Sequence, residues 1–573
     1  MCGIFGGIGV EDVSAPVFSA MARRLAHRWP DGAVVERLGQ VVLGLTRLAI
    51  VGTHEPAVVQ RAGRISAVMN GEVYNHRALR RHVAVRGASD AAVVPALFEA
   101  EGRAFVDRLE GPFALALSDG RRLHLVRDRL GKKPLYFRVQ GRRAFFASEQ
   151  KALVVTPGFD GVVDEGVAGA FLARGYLRDD EVLWRGLSAV APGEWVTIDE
   201  RGRVTRRRWW RLEDQVNAAQ PRRLVPEVGR ALEAAVTARI PDEVPWALLL
   251  SGGLDSTLLG AAAGTVPRAV VMERPGAGDA RRAKTAARAL GCHVETMRLP
   301  APSLEGLERA LYSLEQPEAY ASWSMAPAVL ALGDWLRARG LKVALLGEGA
   351  DELFLGYAWD GLEAALERGD GRVPEDAARL LGPRAAYVGL ARARARLFTP
   401  TPRARDVWLA AAGGLELSED VEAGLSRRLP GARRRQLVGL GHDLLTLPIP
   451  HADRLLMASG VEPRMPFLDH RLVALALSAS PAALESPRED KPVLRALARR
   501  WLPGFRPPPK RGFSGDTMPG PDALEALRVR LSRGPARVVE PAFFRRARRA
   551  PPQHLWRHAV LELTARTLLD ADR

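Results

Sequence analysis

The sequence predicts a two-domain protein in which an α+β domain precedes an α/β domain. Its 573 residues exceed what a single hydrophobic core normally serves. Short apolar runs separated by Gly, Asp and Asn fill the chain up to about residue 205, and strands alternate with helices after it. We therefore place one domain at residues 2–205 and a second at residues 215–573, the latter becoming mainly helical from about residue 360.

The apolar runs of the first part predict buried strands at residues 41–45, 65–69, 113–117 and 123–126. The last two flank Asp119-Gly120, a turn signal typical of a hairpin. Helical patterns cover residues 15–25 and 91–99. These elements together predict a β-rich core covered by helices.

In the second part, strands and helices follow one another along the chain. Strands are predicted at residues 246–250, 269–272, 293–297 and 342–346, and helices at 225–240, 257–264 and 280–290. Alternation of this kind predicts a doubly wound parallel sheet with helices on both faces.

The formal net charge of +17 raises the question of nucleic-acid binding. Most of this charge comes from arginines scattered along the whole chain rather than from one basic patch. Such scatter is typical of a solvated basic surface, so we do not expect nucleic acid as a partner.

Several absences bear on localisation. No apolar run approaches the roughly 20 residues needed to cross a bilayer. The first residues lack the basic and apolar regions of a secretory signal. The only cysteines are Cys2 and Cys292, too few for a disulfide framework. We expect a cytoplasmic protein without membrane partners.

Cys2 occupies a special position in the chain. Removal of the initiator methionine would place its thiol beside its own α-amino group, which titrates near pH 8 and can act as the base for an adjacent nucleophile. Taken alone, Cys2 also fits an ordinary buried thiol.

The residues after Cys2 favour the nucleophile. The matching segments are Met1-Cys2-Gly3-Ile4-Phe5-Gly6, His27-Arg28-Trp29-Pro30-Asp31-Gly32, Arg47-Leu48-Ala49-Ile50, Asn70-Gly71-Glu72-Val73-Tyr74-Asn75 and Ser89-Asp90. In these segments the chain resembles the class II glutamine amidotransferases, which implies an Ntn-hydrolase-like αββα sandwich. The resemblance also implies that Arg47 and Asp90 hold the α-carboxylate and α-amino groups of glutamine. The implied pocket is completed by Leu48, Ala49, Ile50, Val51, Gly71 and Glu72.

Asn70 and Gly71 have a chemical reason to belong to this site. Attack on a carboxamide creates an oxyanion, and the Asn70 side chain and the Gly71 N–H are suitable donors. An Asn-Gly pair is also typical of a type I′ hairpin turn. Trp29 departs from the resemblance, because glycine is usual there and tryptophan lacks its backbone freedom.

A Ser/Gly-rich turn follows the strand predicted at residues 246–250. Glycine allows close backbone approach to phosphates, and the N-terminus of the following helix favours anions. The turn is not a Walker loop, because no Gly-Lys-Ser/Thr follows. Asp255, within the turn, predicts Mg²⁺ beside the phosphates.

An acidic cluster follows the strand predicted at residues 342–346. Glu348, Asp351 and Glu352 repel one another unless a cation is present. The cluster lies between a buried strand and the apolar Leu353-Phe354, which favours a metal or catalytic role over a solvated acidic turn.

With Cys2, these two segments resemble the asparagine synthetase family, as do residues 451–454, 462–470, 491–495 and 510–513. The resemblance implies that Asp255 and Asp351 hold Mg²⁺. It also implies that Glu348 serves acyl-adenylate formation and ammonia attack, and that Lys491 contacts the phosphates. The implied ATP-binding residues are Leu250, Ser251, Gly252, Gly253, Leu254, Asp255, Ser256, Met272, Leu346 and Gly347.

The expected function is glutamine-dependent amide synthesis on a carboxylate activated by ATP, with aspartate as the first candidate. Residues 321–324 lack the Thr/Arg pattern expected for aspartate, and Leu355 replaces a usual glycine. A specialised amidotransferase and an intramolecular amide-forming cyclase acting on a natural-product or peptide carboxylate therefore stay open. A basic scaffold protein is a third alternative, and the resemblance leaves a homodimer open.

Overall fold

The computed structural model describes residues 2–28, 31–217, 220–274, 276, 278–357, 431–486, 489–508, 518–533, 535–547 and 550–570. Trp29 and the match at residues 510–513 lie outside these ranges. Among the described helices, none has the length and apolar character required to span a bilayer.

The first part of the chain contains two six-stranded antiparallel sheets, ordered β10-β8-β9-β1-β3-β2 and β12-β11-β7-β6-β5-β4. The strands are β1 (Cys2–Ile8), β2 (Ala33–Leu38), β3 (Val41–Arg47), β4 (Gln60–Ala62), β5 (Ile65–Gly71), β6 (Phe113–Ser118), β7 (Arg122–Arg127), β8 (Tyr136–Gln140), β9 (Arg143–Ala147), β10 (Leu187–Ala189), β11 (Glu194–Asp199) and β12 (Val204–Arg208).

The alternation of side chains along each strand forms the layers. On β1, Ile4 and Ile8 pack between the two sheets, while Phe5 faces the opposite side and contacts a helical layer. That layer includes α1 (Ala15–Arg24) and α4 (Glu165–Arg174). On the outer face of the other sheet, α3 (Val93–Glu101) supplies Val93, Val94 and Leu97. The αββα sandwich expected from the sequence is confirmed.

The second part is built on a five-stranded parallel sheet with the order β15-β14-β13-β16-β17. Its strands are β13 (Trp246–Leu249), β14 (Ala269–Glu273), β15 (Val294–Arg298), β16 (Val343–Leu345) and β17 (Glu462–Arg464). The chain builds outward from β13 to β15 and then returns to the other side of β13 with β16. This reversal opens a crevice at the carboxyl ends of β13 and β16, where α/β sheets bind ligands.

Helices cover this sheet and extend beyond it. The remaining helices are α2 (His76–Leu79), α5 (Leu224–Thr237), α6 (Leu254–Ala263), α7 (Asp279–Leu290), α8 (Leu304–Leu314), α9 (Met325–Arg337), α10 (Ala350–Phe354), α11 (Gly431–Val438), α12 (Leu444–Thr446), α13 (Pro448–Pro450), α14 (His470–Ser478), α15 (Pro481–Leu484), α16 (Pro492–Trp501), α17 (Pro521–Arg533), α18 (Pro541–Arg546) and α19 (Pro552–Leu569). Two π-helical segments, Gly439–Asp443 and His451–Leu455, flank α12 and α13.

The predicted strands and helices are confirmed, with ends that differ by a few residues. Strand β17 was not predicted. It has three residues, one of them Pro463, and therefore shows no alternation to recognise. The two parts share buried apolar surface, because Leu48, Ile50 and Leu130 belong to the hydrophobic core of the parallel sheet.

Candidate active site

Cys2 is the first residue of β1 and pairs with Arg47 on β3. Its side chain is partly buried and lines a pocket. Burial raises the pKa of the Cys2 thiol, while a backbone hydrogen bond at Leu48 and the charge of Arg47 act in the opposite direction. Burial thus disfavours the thiolate, and attack by this sulfur would require a base.

Asn70 and Gly71 end β5 and pair with Ala114 and Phe113 on β6. They are strand residues, so the alternative of a type I′ turn is excluded. Gly71 has φ of 136°, and an added Cβ would lie 2.1 Å from the Pro112 carbonyl oxygen. Only glycine fits here, because it adopts this backbone conformation without strain and has no Cβ to clash.

Ser148 supports Asn70 and was not among the residues predicted for the site. Its hydroxyl oxygen accepts from Asn70 Nδ2 at 3.3 Å and from the Ile4 N–H at 3.0 Å. Asn70 Oδ1 is buried and has no partner among the described residues. A half-turn about χ2 would let Ser148 donate to Oδ1 and would free the amide N–H₂ as an oxyanion donor.

Arg47 organises the loop that follows β3. Its guanidinium donates to the carbonyls of Val51, at 3.1 Å, and Gly52, at 2.6 Å, and also to that of Glu55. The Ala49 N–H donates to Asp31 Oδ2 at 2.8 Å. These bonds fix the backbone on one side of the pocket.

One pocket collects most of the residues predicted for glutamine. Its lining includes Cys2, Arg47, Leu48, Ile50, Val51, Gly71, Glu72 and Asp90. Ala49 and Asn70 are buried but do not line it. Its wall also includes Glu462 of β17, which was not predicted for the site.

Carboxylates give this pocket its charge. Asp90 Oδ2 accepts from the Val73 N–H at 2.7 Å, and burial raises the pKa of Asp90 to about 6. Glu72 is paired with Arg464, and burial raises the pKa of Glu72 to about 8 despite that partner.

The Ser/Gly-rich turn lies between β13 and α6, at the crevice of the parallel sheet. Gly252 has φ of 77°, and an added Cβ would lie 2.4 Å from the backbone carbon of Arg282 on α7. The Ser251 and Ser256 hydroxyls are 3.1 Å apart, and Leu250 donates its N–H to Val270 at 2.8 Å. The turn is held against α7 and β14, so its backbone N–H groups lie at the start of α6. This is the position from which N–H groups bind phosphate.

The acidic cluster joins this turn across the crevice. A Cβ added to Gly347 would lie 3.2 Å from the Asp255 Cβ, so the two segments are in close approach. Gly347 and Glu348 directly follow Leu346 at the end of β16, and Met272 lies near the end of β14. The predicted ATP residues thus lie on the turn after β13 or at the carboxyl ends of adjacent strands.

Lys491 connects the two predicted metal ligands. Its Nζ lies 2.6 Å from Asp255 Oδ2 and 2.6 Å from Asp351 Oδ1. It is buried, and the two carboxylates raise its pKa against the effect of burial. Because the carboxylates converge on one cation, these residues fit Mg²⁺, which commonly takes one or two carboxylates together with substrate phosphates. No group of three or more His, Cys, Asp or Glu able to hold a metal occurs within the described ranges.

Two residues of this site have a left-handed backbone without being glycine. Lys491 has φ of 47° and Leu355 has φ of 55°. Leu355 replaces a glycine expected by resemblance, and the backbone keeps the conformation that glycine favours. The next residue, Gly356, has no room for a side chain, since an added Cβ would lie 1.9 Å from Lys491 Cε.

A second, smaller pocket lies between the two parts of the chain. Its lining is Tyr74, Pro112, Lys132, Lys133, Arg239, Asp453, Pro463, Arg464 and Met465. Asp453 joins the two parts here, since it accepts from Lys133 Nζ at 2.8 Å and from Arg28 Nη2 at 3.0 Å. The boundary beside the Cys2 pocket is therefore rich in paired charges.

Two families match the chain. Residues 1–210 match the glutamine amidotransferase domain, and residues 227–567 match asparagine synthase.

Curated relatives carry related names. Asparagine synthetase B (glutamine-hydrolyzing) of Escherichia coli (strain K12) is 29% identical over 390 residues, covering 63% of this chain and 65% of the relative. Amidase chyE of Penicillium rubens is 29% identical over 367 residues, covering 58% of this chain and 54% of the relative. The match to each thus spans less than two thirds of its length. A putative asparagine synthetase (glutamine-hydrolyzing) of Mycobacterium bovis is 28% identical over 582 residues, covering 90% of this chain and 87% of the relative.

Among solved structures, a glutamine phosphoribosylpyrophosphate amidotransferase from B. subtilis is similar with a TM-score of 0.28 and 17% identity. The matched region covers 52% of this chain and 65% of the amidotransferase chain.

Proposed function

The chain belongs to the asparagine synthase family, and on that premise we propose that it transfers nitrogen from glutamine to a carboxylate activated by ATP. The observation that carries the proposal is the presence of two separate sites in one chain. Cys2 lines a pocket beside Arg47, Glu72 and Asp90, while Asp255, Asp351 and Lys491 converge at the crevice of the parallel sheet.

At the first site, the α-amino group of Cys2 takes the thiol proton, and the thiolate attacks the glutamine carboxamide. Asn70 and the Gly71 N–H stabilise the resulting oxyanion. The carbon–nitrogen bond breaks as the leaving nitrogen takes a proton, which gives ammonia and a glutamyl thioester. Water then hydrolyses the thioester and releases glutamate.

At the second site, an oxygen of the acceptor carboxylate attacks the α-phosphorus of ATP and pyrophosphate leaves. The N–H groups of Ser251–Ser256 and the Lys491 ammonium bind the phosphate charge. Mg²⁺, when held by Asp255 and Asp351, would neutralise further charge there. Ammonia attacks the acyl-adenylate carbonyl, AMP leaves, and the amide nitrogen loses one proton, for which Glu348 is the proposed acceptor.

Aspartate is the first acceptor to test, because the E. coli relative bears the name asparagine synthetase. A specialised amidotransferase is the second candidate, and residues 319–323 favour it. Trp323 is buried against Trp556, with ring centroids 6.2 Å apart, and Trp556 Nε1 donates to the Ala319 carbonyl at 2.8 Å. With the Trp323 indole buried in the core, residues 319–323 offer no cationic side chain to bind the second carboxylate of aspartate.

A pyrophosphate-release screen tests the proposal and separates the two candidates. The full chain is incubated with ATP, Mg²⁺ and one carboxylate at a time, first with glutamine and then with an ammonium salt. We expect release to depend on one carboxylate and to be supported by both nitrogen sources. Absence of release with every acid would contradict the proposal, and release with another acid but not aspartate would favour the specialised enzyme.

A further inference from the structure

Strand β17 brings two charged side chains to the boundary between the two parts of the chain. Glu462 and Arg464 are two residues apart on a strand, so their side chains share one face of the sheet. Both are buried, with 0% and 2% of their surface exposed. Buried charges need partners, and one partner of Arg464 comes from the first part of the chain.

Arg464 pairs with Glu72, a residue predicted to bind glutamine. Its Nη2 pairs with Glu72 Oε2, its Nε lies 3.7 Å from Glu462 Oε1, and its Nη1 donates to the Arg239 carbonyl at 2.5 Å. Glu72 follows directly on Gly71, so Arg464 holds the end of β5 through this carboxylate.

Glu462 reaches the glutamine pocket itself. It lines the same pocket as Cys2, Glu72 and Asp90, although it lies between 372 and 460 positions further along the chain. The charge of Glu462 helps to raise the pKa of two other residues of the pocket, Glu72 and Asp90. Because Arg464 pairs with Glu72, Asp90 and Glu462 are the carboxylates that suit a ligand with an ammonium group, such as an α-amino acid.

The same strand contacts the synthetase site. Glu462 pairs with Val343 and Arg464 with Leu345 on β16, and the Leu346 N–H donates to the Arg464 carbonyl at 2.9 Å. Gly347 and Glu348 directly follow Leu346, so β17 contacts the pocket through Glu462 and also the strand that leads to the crevice.

We propose that the glutamine site is a composite of both parts of the chain, in which Glu462 is a binding residue for the glutamine α-ammonium and Arg464 is a positioning residue that holds Glu72. This inference rests on the proposed function, because it takes glutamine as the ligand of the pocket. It adds that the first part of the chain does not form a complete glutamine site by itself.

Glu462→Gln in the full chain is the sharpest test, because it removes the charge and keeps the shape. We expect KM for glutamine to rise about tenfold, as when a hydrogen bond to a charged group is lost. The kcat with glutamine and the synthesis supported by ammonium are expected to stay unchanged. Glu295→Gln is the matched control, since Glu295 lies on β15 of the same sheet and faces Arg339 at 3.4 Å rather than the pocket.

Arg464→Lys provides a second variant, because lysine keeps the charge but cannot bind Glu72, Glu462 and the Arg239 carbonyl together. We expect a raised KM for glutamine here too. An unchanged KM for glutamine in Glu462→Gln, with normal activity of the unaltered protein, would overturn the composite site alone. Absence of glutamine hydrolysis by the unaltered protein would instead overturn the proposed function.

Discussion

The two parts of the chain place backbone strain differently. Among the described residues of the first part, every left-handed backbone conformation falls on glycine. In the second part, three other residues adopt it, namely Glu315, Leu355 and Lys491. Such a conformation costs about 1–2 kcal/mol for a residue with a Cβ. Two of the three, Leu355 and Lys491, lie at the crevice of the parallel sheet, where two carboxylates hold Lys491.

The two sites also differ in the polar groups that they present. In the proposed mechanism, neutral dipoles from Asn70 and the Gly71 N–H would stabilise the oxyanion beside Cys2, and the Ser148 hydroxyl supports Asn70. At the crevice, Lys491 lies between two carboxylates. The proposed oxyanion donors are thus neutral dipoles, whereas the paired charges at the crevice change when either partner or a bound cation changes.

The independence of the two sites is tested most strongly by Cys2→Ala. Because the thiol is the proposed nucleophile, we expect glutamine-dependent synthesis to fall to background while ammonium-dependent synthesis persists. Pyrophosphate release with each nitrogen source measures both. Cys292→Ala is the matched control and should leave both activities intact. Loss of both activities in Cys2→Ala would contradict two separate sites.

Lys491→Met is expected to have the next largest effect, and on the opposite site. Without the ammonium, Asp255 and Asp351 repel each other and the phosphates lose a cation, so ATP cleavage should fall on the order of 100–1,000-fold. Glutamate release from glutamine should persist and reports on folding. The exposed Lys284, on α7, supplies the control Lys284→Met. Normal pyrophosphate release by Lys491→Met would show that ATP cleavage at the crevice does not depend on the Lys491 charge.

Ser148→Ala tests whether the proposed oxyanion donor Asn70 depends on the Ser148 hydroxyl that supports it. Without that hydroxyl the Asn70 amide loses its anchor, and we expect kcat for glutamine hydrolysis to fall about tenfold with little change in KM. Ser118→Ala is a suitable comparison, because Ser118 is also buried and accepts a backbone N–H, from Gly120 at 3.0 Å. Equal kinetics in the two variants would assign Ser148 a purely structural role.

The smallest expected effect concerns the strain itself. Leu355→Gly and Leu355→Ala lose similar apolar contact, but only glycine relieves the positive φ. We therefore expect the glycine variant to be more stable by about 1 kcal/mol, the reverse of the usual order inside a helix. Thermal midpoints of the two variants measure this difference. A more stable alanine variant would show that the backbone at this position is not strained.

Local patterns predicted much of both sites. Cys2, Gly71 and Asp90 line one pocket as expected, and Asp255, Asp351 and Lys491 converge although 236 positions separate the first from the last. They were recognised because several short segments together resemble known families, whereas Cys2 taken alone also fits an ordinary buried thiol.

Residues that act through distant contacts could not be found in this way. Ser148 supports Asn70 from 78 positions away, and an isolated serine carries no signal in the sequence. Glu462 and Arg464 lie in a recognised segment, but their partners depend on a three-residue strand containing proline, which no periodicity reveals. The departure at Leu355 could be seen in the sequence, whereas its retained conformation could not.

The late position of β17 along the chain has a consequence for biosynthesis. Ribosomes add about 5–20 residues per second, so Glu462 emerges on the order of tens of seconds after Gly71 and Glu72. Until then the nascent chain has Cys2 but lacks one wall of its pocket. The composite site that we propose would therefore bind glutamine weakly in a growing polypeptide until most of the synthetase part has been translated.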